Sequence, residues 1–192
     1  MASSQVSHSI KHRKTANDVV LTPRAVARKH IEKVIDMVCP ITSYNYDNDF
    51  VLFDPCRHNE NGAYYSQYPY PKDKCDWCEI TEGRDFMDYT PNYGERLVAI
   101  FNPPYSILDK WIDNCIRVNC YCISMLIGIH NLTPRRIEKL ENAGYYLADM
   151  EMLKIYEYYG MSVIITFLPS LSNSKSIIDY DRKVYRKEEE DK

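Results

Sequence analysis

The chain has 192 residues, of which 45% are hydrophobic, 27% charged and 12% aromatic. This composition excludes collagen-like, coiled-coil and wholly disordered chains, because enough apolar material is present to form a core. The formal charge is −3, so any nucleic-acid contact must use a local patch. With no bilayer-length apolar run and no secretory h-region near its start, we expect an intracellular protein, cytoplasmic or nuclear, that is neither secreted nor membrane-bound.

Helix and strand signals alternate between two polar ends. Residues 1–17 are basic and are predicted to form a flexible N-terminus, and residues 180–192 are predicted to form a solvated, charged tail. The stretch 18–179 is therefore predicted to be one folded domain. Alternating strands and helices are typical of an α/β fold with a mainly parallel sheet.

The first half of this domain predicts one helix and three strands. Thr22 can cap the helix, and Pro23 suits its first position, where a missing N–H costs nothing. Apolar residues then recur at helical spacing as far as Val38. The apolar runs that predict strands are 50–53, 77–80 and 97–101.

The second half predicts two helices and three strands. Ser106 can cap a helix, with Asp109 in a capping-box-like place, and an apolar stripe beginning at Leu108 should face the sheet. Thr133, followed by proline, repeats the signal for a helix start. The predicted strands are 122–129, 150–156 and 161–167. The last two are predicted to form an antiparallel pair at the edge of the sheet.

The seven cysteines raise the question of a metal site. Cys75 and Cys78 have the spacing of half a zinc site, and Cys120 and Cys122 are their only candidate partners. These partners lie in a predicted strand without the glycines of a zinc knuckle. We therefore expect reduced thiols that pack as small hydrophobes, and no metal.

The tetrapeptide Asn102-Pro103-Pro104-Tyr105 follows the clearest predicted strand. Two successive prolines stiffen the backbone and remove two N–H donors, while Asn102 adds a carbonyl acceptor and Tyr105 a flat ring. Such a site suits a planar group with an NH2, because two acceptors grip the amine hydrogens while the ring stacks on the plane. Ligands of open α/β sheets bind at this end of the strands. The alternative is a plain proline-rich turn that starts a helix.

Asn-Pro-Pro-Tyr after a hydrophobic strand resembles the catalytic motif of the amino-methyltransferases that use S-adenosylmethionine, above all the adenine-N6 DNA methyltransferases. The order of further motifs from residue 20 to about 170 is similar to that family, and the stretch 77–86 looks like its phage and viral members. These motifs are Leu21-Thr22-Pro23, Phe53-Asp54-Pro55-Cys56, Cys78-Glu79-Ile80 and Gly83-Arg84-Asp85-Phe86. The resemblance implies that residues 18–179 form a Rossmann-like class I methyltransferase domain, with a mostly parallel central sheet and an antiparallel C-terminal edge strand.

The resemblance also implies four catalytic residues, Asn102, Pro103, Pro104 and Tyr105. The Asn102 side chain and the Pro103 carbonyl would grip the target amine, and Tyr105 would stack on the target base. The implied activity is transfer of a methyl group to the N6 amino group of adenine.

S-adenosylmethionine is the implied cofactor. Its implied ligands are Thr22, Pro23, Asp54, Pro55, Cys56, Glu79, Asp85 and Phe86. The first two would line its methionine end, and the next three would form the turn beneath it. The glutamate would bond the ribose hydroxyls, for which paired acceptors are suited. Asp85 would hold the amino group of the cofactor's adenine, and Phe86 its ring.

One stretch departs from the family. Glycines normally follow the Asp-Pro and let the backbone approach the cofactor closely; here His58 stands where a glycine is expected, and Gly62 comes late. Two other functions stay open. One is a catalytically inactive, methyltransferase-like binding or partner subunit. The other is an amino-methyltransferase acting on RNA adenine or on protein glutamine.

Nucleic acid is the expected partner, DNA before RNA, and no membrane is expected. A basic patch near the N-terminus, opposed only by Asp18 and Glu32, is predicted to face the phosphates. Its members are Lys11, Arg13, Lys14, Arg24, Arg28, Lys29 and Lys33. Reading a target sequence needs base-edge contacts from an added element. Apart from the loop 57–75, a second subunit or a homodimer would have to supply that element.

Overall fold

The computed structural model describes residues 21–38, 50–92, 94–155 and 160–169. The predicted flexible segment 1–17 and the predicted tail 180–192 lie outside these residues. The α-helices in the described part are α1 (Arg24–Val38), α2 (Leu108–Arg117) and α3 (Pro134–Asn142). Its strands are β1 (Phe50–Asp54), β2 (Cys75–Trp77), β3 (Arg96–Phe101), β4 (Cys122–Gly128), β5 (Tyr145–Leu153) and β6 (Ser162–Pro169).

The strands form one 6-stranded sheet in the order β2-β1-β3-β4-β6-β5. Strands β2, β1, β3 and β4 are parallel, and β6 runs antiparallel to both of its neighbours, β4 and β5. The predicted α/β class and the antiparallel pair at the edge are confirmed. The predicted antiparallel edge strand is placed differently. Because β6 bonds to β4 on one side and to β5 on the other, it lies one strand in, and β5 forms the edge.

Helices cover both faces of the sheet. On one face, Ile31 and Val34 of α1 join a cluster with Leu52 and Val98 of the sheet. On the other face, α2 and α3 contribute to a second cluster, and the apolar stripe of α2 is buried as predicted. Each buried side chain of this size contributes about 1.5–3 kcal/mol. None of the helices in the described ranges has the length and apolar content that crossing a bilayer requires.

Two elements near the sheet's carboxyl edge differ from their predictions. The strand predicted at 77–80 lies instead at Cys75–Trp77, because residues Ile80–Glu82 form a 3-10 turn that closes at Gly83 with a φ of 76°. Helix α2 begins only after another 3-10 turn, Tyr105–Ile107. Ser106 lies inside that turn, so it is not the N-cap of α2 as predicted.

Strand β5 begins at Tyr145, five residues before the predicted start at 150. The cause is Gly144, whose φ of 88° turns the chain directly from the end of α3 into the strand. Asp149, the fifth residue of β5, interrupts the apolar run, so the prediction from apolar runs began only after it.

Candidate active site

The residue after β3, the turn after β1 and the start of α1 meet at the carboxyl edge of the sheet. Asn102 Nδ2 donates to Thr22 Oγ1 at 3.2 Å. The backbone carbonyl of Asn102 accepts from Cys56 Sγ at 3.2 Å. These contacts arise because β1 and β3 are adjacent parallel strands, so their carboxyl ends lie side by side. Three motifs that are far apart in the sequence are therefore in direct contact.

A cavity of about 280 Å³, here called the first cavity, opens between these segments. Thr22 contributes to its wall from the start of α1, Asp54 and Cys56 from the end of β1, and Asn102 from the end of β3. Tyr64 completes this part of the wall from the loop after β1. Four of the predicted site residues thus line one space.

The prolines and Tyr105 surround that space without lining it. Pro55 and Pro103 are buried in the turns after β1 and β3, and Pro23 is exposed where its carbonyl starts the helical hydrogen bonds of α1. Pro104 and Tyr105 are half-buried, and Tyr105 packs against the core cluster beneath α2. Their predicted roles toward a target base stay predictions.

Asp54 fastens the turns that follow β1. Its carboxylate is almost completely buried and accepts from the N–H of Cys56 at 3.2 Å and from the N–H of Tyr65 at 3.1 Å. Burial raises the pKa of Asp54 to about 7, although these two hydrogen bonds favour the charged form. The side chain therefore titrates near neutral pH. It also lines the first cavity and fixes the two backbone segments that it binds.

Replacing Asp54 by asparagine is expected to remove a pH dependence of stability. Because the folded pKa lies above the unfolded value, the protonated form stabilises the fold at low pH, and this contribution is lost as the pH rises from about 4 to about 7, by at most about 1.4 kcal/mol per pH unit. Urea unfolding of both proteins between pH 5 and pH 8 measures it. The free energy of unfolding of the native chain minus that of the variant should fall with pH. A difference that is constant or rises with pH would mean that Asp54 is already ionised at pH 5.

His58, which stands where the resemblance places a glycine, has a backbone conformation that glycine favours. His58 has a φ of 69°, in the left-handed region that glycine favours and histidine adopts more readily than most residues. Its N–H donates to Glu79 Oε2 at 2.9 Å. The backbone at His58 is therefore one that a glycine at this position could also adopt.

Gly62 is the glycine that the loop requires. A Cβ at this position would lie 1.8 Å from the carbonyl oxygen of Arg57 and 3.0 Å from that of Asn59. The N–H of Gly62 donates to the Asn59 carbonyl at 2.9 Å, which closes the turn. The late glycine in the sequence thus marks a close approach between two parts of the loop, beside the first cavity.

Arg57 attaches this loop to the end of β2. Its guanidinium stacks on Trp77, 3.2 Å from the ring centroid, and forms an ion pair with Glu82. The N–H of Arg57 donates to the carbonyl of Cys78 at 3.1 Å. A cation–π contact of this kind contributes about 0.5–2 kcal/mol. Sequence analysis missed this anchor, because nothing in the spacing of Arg57 and Trp77 indicates that they touch.

A second cavity of about 380 Å³ lies beside the residues that precede and follow Glu79 in the sequence. Residues lining it include Cys78, Ile80 and Asp85. Both oxygens of Glu79 already accept hydrogen bonds, Oε2 from His58 and Oε1 from the N–H of Thr81 at 3.1 Å. Glu79 therefore links the loop beside the first cavity to the turn beside the second.

The structure brings Asp85 to the second cavity but keeps Phe86 out of it. The Phe86 ring is 2% exposed and packs on Trp111 and Phe53, with centroid distances of 4.8 and 5.6 Å. Asp85 instead caps the short turn that contains Phe86, accepting from the N–H of Met87 at 2.9 Å. The stacking role that the resemblance implies for Phe86 is therefore not visible in this arrangement.

The basic patch is only partly described. Lys29 forms an ion pair with Glu151, and Lys33 lies 2.5 Å from Asp149 and 3.2 Å from Glu151. These acids belong to β5, so the positive charges of Lys29 and Lys33 are already compensated within the protein. Lys11, Arg13, Lys14 and Asp18 lie outside the described residues. A phosphate-facing role for the patch stays a prediction.

The cysteines of the suspected half-site are far from their candidate partners. Cys75 begins β2 and Cys122 begins β4, and two strands, β1 and β3, separate these elements in the sheet. Across the described residues, no group of three or more metal-ligating side chains is arranged to hold an ion. Cys39 lies outside the described part of the chain.

No protein-family model matches the chain, and no curated protein is significantly similar to it.

Proposed function

We propose that the chain is an S-adenosylmethionine-dependent methyltransferase that transfers a methyl group to the exocyclic N6 amino group of adenine in DNA. The observation that carries the proposal is the contact of Asn102, at the carboxyl end of β3, with Thr22 and Cys56 around one cavity. This contact joins the predicted amine-gripping motif to the predicted methionine-binding segments. Transfer between two bound groups requires just such a juxtaposition.

The topology supports the same site. After β2 the chain crosses over β1 to form β3, so the direction in which the sheet is built reverses between β1 and β3. Open α/β sheets bind ligands outside the carboxyl ends of the strands at such a switch point, and the first cavity lies there. The reversed strand β6 beside β4 also agrees with the Rossmann-like class I methyltransferase fold that the resemblance implies.

The described residues fit S-adenosylmethionine in the type and order of their polar groups. Thr22 and the turn after Asp54 would hold the methionine end in the first cavity. Glu79 would take the ribose hydroxyls through Oε2, which accepts one hydrogen bond from the N–H of His58 and has a second lone pair, whereas Oε1 already accepts two from Thr81. Asp85 would hold the adenine amino group in the second cavity.

The amine of the target base is itself the nucleophile, so no covalent intermediate with the protein is required. When Asn102 Oδ1 and the Pro103 carbonyl accept its two hydrogens, the nitrogen lone pair is turned out of conjugation with the ring. S-adenosylmethionine held by Thr22, the turn after Asp54, Glu79 and Asp85 would supply the methyl group from its positively charged sulfur, which would keep the electron pair of the broken C–S bond. The amine would form the new N–C bond and then lose one proton to solvent. The two acceptors also stabilise the positive charge that develops on nitrogen.

A base inside a duplex must leave the stack before its amine can reach this site. Flipping costs a few kcal/mol, and stacking on an aromatic side chain recovers part of that cost. Tyr105, immediately after the two prolines, would provide the stacking surface.

The proposal is tested by incubating the full chain with methyl-labelled S-adenosylmethionine and, separately, duplex DNA, RNA and protein, followed by mass spectrometry of the products. N6-methyladenine in DNA is the expected result. Label in RNA adenine or in glutamine would keep the enzyme and change its acceptor. Absence of label, together with no heat of binding in calorimetry up to millimolar cofactor, would overturn the proposal in favour of an inactive binding module.

A further inference from the structure

Arg24 belongs to the wall of the first cavity. It is the first residue of α1 and lines the cavity together with Leu21 and Thr22. Its Nη1 donates to Ser66 Oγ at 3.1 Å and to the backbone carbonyl of Asn61 at 3.4 Å. These bonds hold the guanidinium against the loop after β1, so this side chain connects the two segments that border the cavity.

The positive charge of Arg24 is not balanced by an acid within the described part of the chain. Both acceptors of its guanidinium are neutral oxygens, and it forms no ion pair with a described carboxylate. Lys29 and Lys33 of the same helix, in contrast, are paired with acids of β5. A guanidinium has several N–H donors, and both bonds of Arg24 are made by Nη1, so further donors remain for a ligand.

The charges around the first cavity favour an anionic group. Arg24 and Arg57 both lie in its wall, and among the described residues that line it Asp54 is the only acid. Burial raises the pKa of Asp54 to about 7, so this carboxylate is partly protonated near neutral pH. The end of α1 beside the cavity is its N-terminus, where the helix dipole favours anions, and its first turn contains no acidic residue.

The ligand proposed for this cavity carries one such anionic group. S-adenosylmethionine has a single carboxylate, which is on its methionine end, and that end would occupy the first cavity. Arginine suits a carboxylate because its planar guanidinium can donate two parallel N–H bonds to the two oxygens. The position of Arg24 in the cavity wall therefore matches the one negatively charged group of the proposed cofactor.

We infer that Arg24 is a cofactor-binding residue that recognises the carboxylate of S-adenosylmethionine in the first cavity, an inference that rests on the proposed function. It gives Arg24 a different ligand from the DNA phosphates that the sequence predicted for the basic patch. Since Lys29 and Lys33 are paired with acids, Arg28 is then the one described cation of α1 left for a phosphate.

The test is calorimetry with S-adenosylmethionine and with decarboxylated S-adenosylmethionine, which lacks only the carboxylate. The native chain should bind the first compound about ten- to a hundredfold more tightly than the second. In Arg24→Gln the affinity for S-adenosylmethionine should fall by about that factor, while the affinity for the decarboxylated compound stays within about threefold of the native value.

Arg135→Gln is the matched control. Arg135 follows the same Thr-Pro sequence at the start of α3, is exposed, and does not line the first cavity. This variant should bind both compounds as the native chain does. It loses the same charge at the same kind of helix start, so any effect confined to Arg24→Gln comes from the cavity.

Native affinity of Arg24→Gln for S-adenosylmethionine would overturn the inference, and a loss of duplex-DNA affinity in that variant would then assign Arg24 to the phosphates. Equal affinity of the native chain for the two compounds would also overturn it, and this measurement needs no variant. In both cases the native chain binds the cofactor, so the proposed function stands. A native chain that binds neither compound would contradict the proposed function, and the inference with it.

Discussion

Replacing Asn102 by alanine is expected to lower the rate of methyl transfer by on the order of a thousandfold or more and to leave the affinity for S-adenosylmethionine nearly unchanged. The side chain supplies the acceptor that grips the amine and stabilises the charge developing on nitrogen, so its loss acts on the transition state. Cofactor binding depends instead on Thr22, Glu79 and the loop after β1. Single-turnover methylation and calorimetry with the cofactor alone measure the two quantities separately.

Asn142→Ala is the matched control, because Asn142 is exposed at the end of α3. It should methylate at the native rate. Native turnover in Asn102→Ala would show that the asparagine takes no part in the reaction, and the catalytic role proposed for residues 102–105 would then be wrong. Loss of cofactor binding along with turnover would show that Asn102 acts by shaping the first cavity.

The elements that sequence predicted well are those with strong apolar patterns. Helix α1 begins directly after Thr22-Pro23. Strands β3 and β4 coincide with the predicted apolar runs, and almost every residue in them is buried. Such patterns are decided by burial, which is a local property of a stretch of chain. The three-residue strand β2 has no buried face of its own, since all its residues are half-buried, and its position depends on pairing with β1.

The motifs of the candidate site were identified from sequence, but not the contacts between them. That Asn102 meets Thr22 follows from the pairing of β1 with β3 and from the crossing of α1 over the same sheet face, and neither is encoded near these residues. His30 illustrates the limit. Its side chain is fully buried, and its partners Tyr64 and Ser124 are 34 and 94 positions away in the sequence.

The loop after β1 is the place where sequence and structure differ most instructively. The resemblance places a glycine at position 58, and His58 has a φ in the left-handed region that glycine favours. The energetic cost of this conformation is offset by neighbouring contacts, among them the hydrogen bond to Glu79 and the stacking of Arg57 on Trp77. A sequence motif lists residue types, while the backbone angle depends on these distant partners.

Replacing Gly62 by alanine is expected to weaken the binding of S-adenosylmethionine by about ten- to a hundredfold. The new methyl group would lie 1.8 Å from the Arg57 carbonyl oxygen, which is backbone and cannot rotate away. The same oxygen accepts from the N–H of Asn59 at 2.9 Å, so moving it breaks a turn as well. Overpacking of this kind costs about 1–3 kcal/mol, and the strain falls on the loop that lines the first cavity.

Calorimetry with the cofactor measures the loss, and urea unfolding shows how much of the strain reaches the whole fold. Gly160→Ala is the matched control, because no atom of the described residues lies within 4 Å of the Cβ it would add, and it should bind as the native chain does. Since the Cβ of Gly62→Ala cannot be accommodated without moving the loop, native affinity in that variant would mean that the loop after β1 does not contact the cofactor. The methionine end of the cofactor would then have to bind elsewhere. The proposal that Asn102 brings the methyl donor and the target amine together would then be wrong.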